Sequence, residues 1–476
     1  MKTRTLKSVW AMGLALLPAV LVALLLGARP AHAAGTVGTG SPGSCDEAAF
    51  NTALAGGGLV TFNCGASPVT ITIGVKTIAA NTTIQGGGLI ILNGNYSNQL
   101  FIVSPGVTLA LDGLMLVRGT KVGGHGGAID NRGRLVVSNS QFYNNHTYGF
   151  GGAIFNLGTL TVTNSIFGKD GFGLGNGGTY GASIYNAGTA TLTGNRYDTN
   201  TAVLGAGLYN AGTAHITNDT YVHNFANSGA GLYNANGTAT LSATDFISNE
   251  ASYLGGAGLY NDYGTVTVTG GRFTFNRSEN NTAQANMGQG GGVYNHSGAA
   301  TFNNVTFNWN RAVLGGAIFN TQTNTVASLI VNGGLINGNY VTNFFGSGPA
   351  GGAGIYNDHG LVSLANTSLI TNTADGPESD GSGGAGFYNN GGAATLTHAA
   401  IVSNTGAYDG GGVLNNAGSM TITLSSLVGN EAWYGGGIAN HNSGAVLLLV
   451  DTTLSANRAY DAGAGGSGSG GGLDNY

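Results

Sequence analysis

Short segments of alternating apolar and polar residues make up most of the chain, and residues 151–170 show their arrangement. The letters GGAIFNLGTLTVTNSIFGKD hold two glycines, an apolar run that ends at Asn156, a strict alternation from Thr159 to Thr163, and a third short run at 165–167. A period of two predicts β-strands, and the turn residues between the runs leave no room for a helix. Such a unit cannot bury its apolar side alone, so it requires copies above and below.

The copies are marked by an asparagine that closes the first run of every unit. From the first of these asparagines to the last, twelve intervals cover 344 residues, or just under 29 residues each. A repeat of this length is typical of solenoids, in which each coil contacts only its neighbours. This first marker stands at Asn131, Asn156, Asn186, Asn210, Asn234, Asn261, Asn295, Asn320, Asn357, Asn389, Asn415, Asn440 and Asn475.

A second marker, Phe-x-x-Asn or a variant of it, ends the third run of each unit. Eleven of the twelve gaps from first to second marker span 14 to 17 residues, whereas the gap to the next first marker varies from 10 to 19. Length variation therefore concentrates at one corner, where insertions in stacked repeats form loops and often a binding face. Clear examples of the second marker are Phe142/Asn145, Tyr197/Asn200, Phe246/Asn249, Phe307/Asn310 and Leu427/Asn430.

Two further columns predict how the units stack. Three residues before the aromatic position of the second marker, all units except those of Ala243 and Leu424 carry a residue that tolerates a left-handed backbone, as a sharp bend requires. We expect the asparagines of this corner column to stack and hydrogen-bond along the axis. Two residues before each first marker the side chain is apolar in every copy, from Ile129 to Leu473, which indicates a core column. These features predict an all-β fold, a parallel β-helix.

The same alignment of units predicts which charged residues become neighbours on adjacent coils. The residue after each second-marker asparagine should lie beside its counterpart one coil away. Glu431 should then face Arg458, Glu250 should face Arg277, and Arg277 and Arg311 should be neighbours of like charge. Exposed pairs of this kind contribute about 0–1 kcal/mol, so they report the register more than they stabilise the fold.

Three segments of different character follow one another along the chain. Residues 1–33 carry cations before a long uncharged run and end in Ala-His-Ala, which predicts a secretory signal peptide. Residues 34–122 predict an N-terminal cap, with a short helix over 45–54, and then the first coils. Residues 123–476 hold about twelve repeats and stop as another coil opens, without a polar cap. We therefore expect a partner stacked on this end or a missing C-terminal region.

The charge of the chain argues against nucleic acid as a partner, and its cysteine content is consistent with an oxidising, extracellular compartment. The chain has 15 basic and 20 acidic residues, and loss of the signal would remove four of the basic ones, leaving a net charge of about −9. An acidic chain has no electrostatic reason to bind nucleic acid. No later segment is apolar enough to span a membrane, so we expect a secreted or cell-surface protein. The only cysteines, Cys45 and Cys64, should form a disulfide rather than a metal site, which would need more ligands.

The repeat motifs resemble those of a known family. Gly-Gly-Ala-Ile at 151–154 and 315–318, with Phe-x-x-Asn at residues 142–145 and 246–249, resembles the paired tetrapeptides of polymorphic outer-membrane protein repeats. In that family the repeats form a β-helical passenger that is carried by a C-terminal membrane barrel and acts in adhesion. The resemblance therefore implies an outer-membrane or cell-surface setting and a role as an adhesin.

A second resemblance concerns the start of the mature chain. Cys45, Cys64 and the run LALDGL at 109–114 are similar to the opening of exported bacterial proteins of the pectin-lyase-like type. Together the two resemblances cover most of residues 45–476 and imply a right-handed β-helix. Enzymes of the pectin-lyase-like type use clustered carboxylates, calcium in the lyases, and an arginine or lysine base.

A column of aromatic residues stands directly before the first marker on nine consecutive units. Because strand side chains alternate, this column should point outward, and the variable corner loops should form a wall beside it. Rings spaced by about 4.8 Å would offer a surface on which sugar rings stack; the alternative is that the rings stack on one another and only stabilise the rod. This aromatic column, the candidate ligand-binding site, consists of Phe155, Tyr185, Tyr209, Tyr233, Tyr260, Tyr294, Phe319, Tyr356 and Tyr388.

Other candidate chemistry is sparse in the sequence. The acids are scattered singly and supply no recognisable catalytic constellation, so no catalytic residue is assigned and no cofactor is required. The tightest acidic group, Asp375, Glu378 and Asp380, predicts either a calcium site or, with more support, a solvated loop. Ranks of threonine on the alternating strands match ice-binding surfaces, but ordinary β-propensity explains them as well.

Two function classes remain from these observations. The sequence favours a secreted or cell-surface β-helix with a binding, adhesion or surface-structural role, and a polysaccharide or cell-surface glycan as its ligand. The alternative is a polysaccharide lyase or glycoside hydrolase on the same fold, because fold alone does not determine activity. The enzyme alternative requires at least two acids and one base that converge on one face.

Overall fold

The computed structural model describes residues 35–169, 174–278, 288–342, 350–376, 382–460 and 469–475. Across these ranges the chain forms a right-handed parallel β-helix of about 15 turns, which confirms the predicted fold class. The predicted signal peptide, residues 1–33, lies outside the described residues. Each repeat contributes to three parallel sheets, which we call the first, second and third sheet.

The N-terminal end is covered by the predicted helix. The α-helix Glu47–Leu54 follows a short 3₁₀ helix, Pro42–Ser44, and its N-cap residue Asp46 accepts a hydrogen bond from the backbone N–H of Ala49 at 2.8 Å. Phe50 is fully buried against the first coils, as a plug for the open end of a solenoid requires. The predicted disulfide between residues 45 and 64 is present, with Cα atoms 5.7 Å apart.

From Ile129 onward, the strands of the second sheet carry the first marker as their last or next-to-last residue. Its strands pair in strict register, so Ile154 lies beside Ile184 and Asn156 beside Asn186. The described residues contribute these strands: Lys76–Ile78, Phe101–Val103, Ile129–Asn131, Ile154–Asn156, Ile184–Asn186, Leu208–Asn210, Leu232–Ala235, Leu259–Asp262, Val293–His296, Ile318–Thr321, Ile355–Asp358, Phe387–Asn390, Val413–Asn416, Ile438–His441 and Leu473–Asn475.

The first sheet takes two strands from each repeat, separated by the corner column. Threonine-rich alternation forms the longer strand and the aromatic position of the second marker lies in the shorter one. The described strands are Gly35–Val37, Gly58–Phe62, Val69–Thr72, Thr82–Asn93, Thr108–Val117, Arg134–Ser138, Gln141–Tyr143, Thr159–Thr163, Ile166–Phe167, Thr189–Thr193, Arg196–Asp198, Thr213–Thr217, Thr220–Val222, Thr238–Ser242, Asp245–Ile247, Thr265–Thr269, Arg272–Thr274, Ala299–Asn303, Thr306–Asn308, Ser328–Asn332, Leu335–Asn337, Leu361–Ala365, Ser368–Ile370, Ala393–Thr397, Ala400–Val402, Ser419–Thr423, Ser426–Val428, Val446–Val450 and Thr453–Ser455.

The third sheet is a feature that the three-run pattern did not predict. It begins directly after the second marker, at the corner of variable length, and therefore adds a fourth short strand to most repeats. Its described strands are Thr120–Lys121, His146–Thr147, Gly177–Tyr180, Thr201–Leu204, Phe225–Ser228, Glu250–Gly255, Arg277–Ser278, Arg311–Ala312, Tyr340–Thr342, Thr373–Asp375, Thr405–Gly406, Glu431–Ala432 and Arg458–Ala459.

The interior is one continuous apolar core. Every core-column residue from Ile129 to Ile438 is fully buried, and only Leu473, on the last described coil, is exposed at 41%. Aromatic rings of the second marker stack inside the rod, for example Tyr197 on Tyr221 at 4.5 Å between ring centroids. The predicted core column is confirmed.

Two ladders of buried asparagine side chains tie the coils together. Along the first marker, each Nδ2 donates to the Oδ1 one coil further on, at 2.6 Å from Asn131 to Asn156 and 2.8 Å from Asn415 to Asn440. Along the second marker the same bonds measure 2.9 to 3.0 Å. In the repeat that begins at Asn156, Asn176 occupies the second-marker position of the ladder. The extra residues of this repeat therefore come before its second marker instead of after it. Buried amides are satisfied by this arrangement.

The bend between the two strands of the first sheet is left-handed in every repeat. Ala243 and Leu424, which lack the expected residue type, adopt φ of 46° and 51° like the asparagines, so the geometry of the repeat overrides local preference. The expected ladder of corner asparagines is absent among the described residues because glycines such as Gly194 interrupt the column; Asn139 donates to Asp112 at 2.8 Å instead.

The predicted register of charged residues is confirmed. Glu431 lies beside Arg458, with Oε1 and Nη1 3.3 Å apart, and the strand of Glu250 pairs with that of Arg277 at these two residues. Arg277 and Arg311 are neighbours on adjacent coils.

Candidate functional site

The aromatic column lies on the outer side of the second sheet, as alternation predicts. Most of its rings belong to an apolar cluster that is separate from the main core. The rings are nevertheless covered: Tyr260 is 4% exposed and Tyr388 is 2% exposed, and only Tyr185 and Tyr209 are half-buried. The column thus points away from the main core, as predicted, but most of its rings offer little exposed surface.

The rings of the column pack on one another, mostly face to face and in part tilted or edge-on. Successive ring centroids lie 4.5 to 5.4 Å apart, and the rings of Tyr209 and Tyr233 are nearly parallel, at 3°. Stacked rings at this distance leave no gap for a sugar. The geometry is that of the alternative interpretation, in which the rings pack on one another.

A second column covers the first from the side of the variable corner. It stands five residues before each aromatic position and is linked from coil to coil by single β-bridges or strand pairs. Rings of this column contact rings of the next coil, as in Phe150 and Tyr185 at 4.8 Å. The long corner loops that were expected to form a wall here lie largely outside the described residues, so that expectation stays a prediction. This wall column consists of His125, Phe150, Tyr180, Leu204, Ser228, Gly255, Gln289, Leu314, Gly351, Gly383, Asp409, Tyr434 and Ser469.

A third, polar column lies on the other side of the aromatic column. Because residues two apart share a face of a strand, the residue after each first marker points outward beside the aromatic position. Sequence analysis missed this edge column, although alternation alone would have located it. Its described members include Asp262, His296, Thr321, Asp358, Asn390, Asn416 and His441.

Part of the edge column forms a hydrogen-bonded relay. The hydroxyl of Tyr233 donates to Asp262 Oδ2 at 2.8 Å, and Asp262 Oδ1 lies 2.8 Å from Nδ1 of His296. Nε2 of His296 is 3.2 Å from the hydroxyl of Thr323, which Tyr263 also contacts at 2.9 Å. Thr323 belongs to the long, irregular connection after Thr321, so the relay fixes that connection against the coil below.

The groove between wall and edge columns opens where the aromatic column ends. The floor residue shrinks from Tyr388 to Leu414 and then to Ala439, and a cavity of about 510 Å³ appears there. We call it the Asp409 pocket. It is lined by Tyr388, Tyr408, Asp409, Leu414, Asn416, Tyr434, His441, Asn442, Ser469, Asp474 and Asn475.

An imidazole sits between two carboxylates in this pocket. Nε2 of His441 is 3.0 Å from Asp474 Oδ2, and Nδ1 is 3.5 Å from Asp409 Oδ1. The interaction with Asp409 raises the pKa of His441, burial opposes the rise, and Asp474 adds to it. Each of the three residues belongs to a fixed column of the repeat. Asp409 lies in the wall column, His441 in the edge column and Asp474 at the aromatic position.

The carboxylate of Asp409 is incompletely satisfied. Asp409 is 4% exposed, and its Oδ1 has no hydrogen-bond partner among the described residues, although it lies 3.5 Å from Nδ1 of His441 in an ion pair. Asp474 differs: its Oδ1 accepts a hydrogen bond from Ser469 at 2.9 Å and its Oδ2 faces His441. A buried acceptor without a partner is costly, so this oxygen is positioned for a donor from a ligand or a water molecule.

Aromatic side chains form the outer wall of the pocket. Tyr408 lies edge-on to Trp433 at 5.4 Å and to Tyr434 at 5.2 Å, and the last two are parallel. The hydroxyl of Tyr460 donates to the backbone oxygens of residues 406 and 407, which anchors the segment that presents Tyr408. The half-buried faces of Tyr408 and Tyr434 are the aromatic surface available to a ligand here.

The candidate calcium ligands are only partly described. Asp375 is exposed and accepts a hydrogen bond from the Tyr340 hydroxyl at 2.7 Å, whereas Glu378 and Asp380 lie outside the described residues. Within the described ranges, no group of three or more His, Cys, Asp or Glu side chains is arranged to hold a metal ion. The same ranges contain no helix with the length and hydropathy needed to cross a membrane.

Comparison with protein-family profiles, with curated protein sequences and with solved structures finds no match for this chain. The β-helix is therefore established by the structure itself, and the resemblance to polymorphic outer-membrane protein repeats holds for short motifs alone. The fold suits surface, binding and enzymatic β-helix proteins in general. The site must carry any finer assignment.

Proposed function

We propose that this chain is a secreted or cell-surface β-helix protein that binds a saccharide in the Asp409 pocket. The observation that carries the proposal is the buried Oδ1 of Asp409, which receives no hydrogen bond from the described residues and faces a cavity of about 510 Å³ beside Tyr408 and Tyr434. Carboxylate acceptors beside tyrosine faces suit a polyhydroxylated ring, because hydroxyls donate to the carboxylate while C–H faces pack on the rings. A volume of this size is typical of small-molecule sites.

An array of bacterial, plant and animal oligosaccharides tests the proposal, with calorimetric titration of the glycans that bind. We expect the Asp409→Ala variant to lose glycan binding, because the substitution removes the carboxylate acceptor from the pocket lining. Asp375→Ala is the matched control, since it removes an exposed carboxylate from another face. The proposal fails if the native protein binds no glycan, or if Asp409→Ala binds the same glycans equally well.

Export is part of the proposal and is supported by the sequence of residues 1–33 and by the disulfide of the cap. Expression of the full chain in a bacterium with a secretory pathway should give a mature protein that begins at residue 34. N-terminal sequencing of the exported product checks this. A product that retains the first residues, or that stays in the cytoplasm, contradicts it.

A second candidate function, hydrolysis of a glycosidic bond, is favoured by one observation. Asp409, His441 and Asp474 bring two acids and one base together on one face, which is the arrangement that the enzyme alternative requires. Paired acid and base groups can protonate a leaving oxygen and activate water. A glycan that binds the native protein should then gain reducing ends with time, and His441→Gln should stop the gain. Binding without any gain restricts the pocket to recognition.

A further inference from the structure

The charge of the Asp409 pocket restricts its ligands. Among the described lining residues, two carboxylates and one imidazole are the ionisable acid–base groups apart from tyrosines, and there is no lysine or arginine. Even with a protonated His441, these described residues carry one more negative than positive charge. An anionic ligand such as a uronic acid would bring a further carboxylate near Asp409 without a cation to meet it, which is unfavourable in a partly buried site.

Oδ1 of Asp409, which receives no hydrogen bond from the described residues, is the place where a ligand would meet this charge. A neutral hydroxyl would satisfy Oδ1 but would leave the excess charge in place, whereas a protonated amine satisfies the oxygen and neutralises the charge in one contact. The tyrosine faces beside Asp409 also attract cations. Asp474 does not compete for the amine, since His441 and Ser469 occupy both of its oxygens.

We propose that the Asp409 pocket selects ligands that carry a protonated primary amine, and that Asp409 binds that amine. The inference rests on the proposed saccharide function and deepens it: the ligand is an amino sugar with a free amine, as in a deacetylated aminopolysaccharide. An N-acetylated sugar lacks the positive charge, and a uronic acid has the opposite one. Free amines on other scaffolds share the chemistry, so a diamine serves to separate amine recognition from sugar recognition.

Calorimetric titration of the mature protein with four probes tests the inference: glucosamine oligomers, N-acetylglucosamine oligomers, galacturonic acid oligomers and putrescine. We expect the glucosamine oligomers to bind at least about tenfold more tightly than the N-acetylated ones, a difference of about 1.4 kcal/mol, and the galacturonic acid oligomers not to bind. Binding of the free amine should weaken as rising pH removes its proton. This comparison uses the native protein and so does not depend on the folding of any variant.

Asp409→Asn then identifies the residue, because the amide keeps the size of the side chain and removes its charge. The variant should bring the glucosamine and N-acetylglucosamine oligomers to similar affinities, while Asp375→Asn, which changes an exposed acid on another face, should preserve the preference. Circular dichroism and the melting temperature verify that both variants are folded.

Each remaining outcome has a distinct meaning. Equal or tighter binding of N-acetylglucosamine oligomers by the native protein overturns the amine inference and leaves the saccharide function standing. Putrescine binding as tight as that of glucosamine oligomers keeps the amine inference and overturns saccharide recognition. Failure of all four probes to bind overturns the inference. The oligosaccharide array then decides separately whether the saccharide function survives.

Discussion

The middle and the end of the groove share one backbone frame and differ only in side chains. From Tyr233 to Tyr388 large rings fill the floor and uncharged, non-aromatic wall residues lie beside them, whereas from Leu414 onward the floor shrinks and the wall carries Asp409 and Tyr434. The first stretch is sealed and the second is a pocket. In a solenoid with such regular coils, a site arises where the size order of a column is interrupted.

A second contrast concerns two buried acids. Asp219 lies inside the rod, 1% exposed, where Asn195 donates to it from backbone and side chain beside Tyr197 and Tyr221. Asp409 is almost equally buried but faces a cavity. Burial within the core raises the pKa of Asp219 to about 7. The comparison predicts that the first acid affects stability and the second affects binding.

The largest expected effect comes from emptying the sealed stretch. Tyr260→Ala should lower the free energy of unfolding by about 3–5 kcal/mol, because it removes a buried ring and leaves a cavity between two stacked neighbours. Denaturant titration measures the change, and Tyr185→Ala, at a half-buried ring, should lose less. A loss below about 1 kcal/mol at Tyr260 would show that the rings do not hold the coils together.

The next effect is the pH dependence of Asp219. Its folded pKa of about 7 is higher than its ordinary value of 3.8, so the folded state binds a proton more tightly than the unfolded state. Stability from this group is therefore greatest below about pH 4 and falls as pH rises to about 7. Asp219→Asn should flatten this part of the profile and gain on the order of 2 kcal/mol at pH 8 relative to the native protein.

Denaturant titrations of both proteins from pH 4 to pH 8 measure the difference. Asp375→Asn, at an exposed acid, serves as the control and should leave the profile of the native protein unchanged. Parallel profiles for the native protein and Asp219→Asn would contradict the expectation.

A smaller effect, on ligand affinity, is expected when a tyrosine like those of the aromatic column fills the pocket. Leu414→Tyr continues the aromatic column by one coil and places a ring in the cavity, so ligand affinity should fall at least about tenfold, or 1.4 kcal/mol. The melting temperature should change little. Leu361→Tyr, at an exposed position on another face, is the control. Undiminished binding by Leu414→Tyr would place the ligand elsewhere.

The smallest effect is the pH dependence of His441. The pKa of His441 is raised in the folded state. Its contribution to the free energy of unfolding is therefore complete below its ordinary pKa of 6.5 and is lost as the pH rises through the raised value. The contribution should be below about 1 kcal/mol because the site is open to solvent. Melting curves of the native protein and His441→Gln should therefore diverge at pH 5 and converge at pH 9. A constant difference would assign His441 a packing role alone.

Features that depend on one repeat at a time could be predicted from the sequence. The core column, the left-handed corners, the pairing of Glu431 with Arg458 and the disulfide of the cap all follow from local pattern and marker spacing. Their physical basis is short in range: strand alternation, backbone sterics and the stacking of equal coils.

Features that depend on what crosses the variable corner could not be predicted in the same way. The wall column follows loops of different length, yet it stands five residues before the aromatic position in each described repeat. Asp409, His441 and Asp474 belong to three different columns on successive coils, so no single column contains all three. Positions five residues before and two residues after each aromatic position bring the three columns together, and these fixed offsets are the signal in the sequence that locates the site.

The asparagine ladders separate the spacing of the coils from the length of the chain between them. Asn186 and Asn210 are 24 residues apart and Asn320 and Asn357 are 37 apart, yet their side-chain bonds measure 2.7 and 2.8 Å. The spacing between coils is therefore constant, whatever the length of the loop that connects them. Foreign peptides of a dozen residues grafted at the corner before the wall column should be displayed at a regular pitch along one side, which makes this chain a scaffold for ordered multivalent presentation.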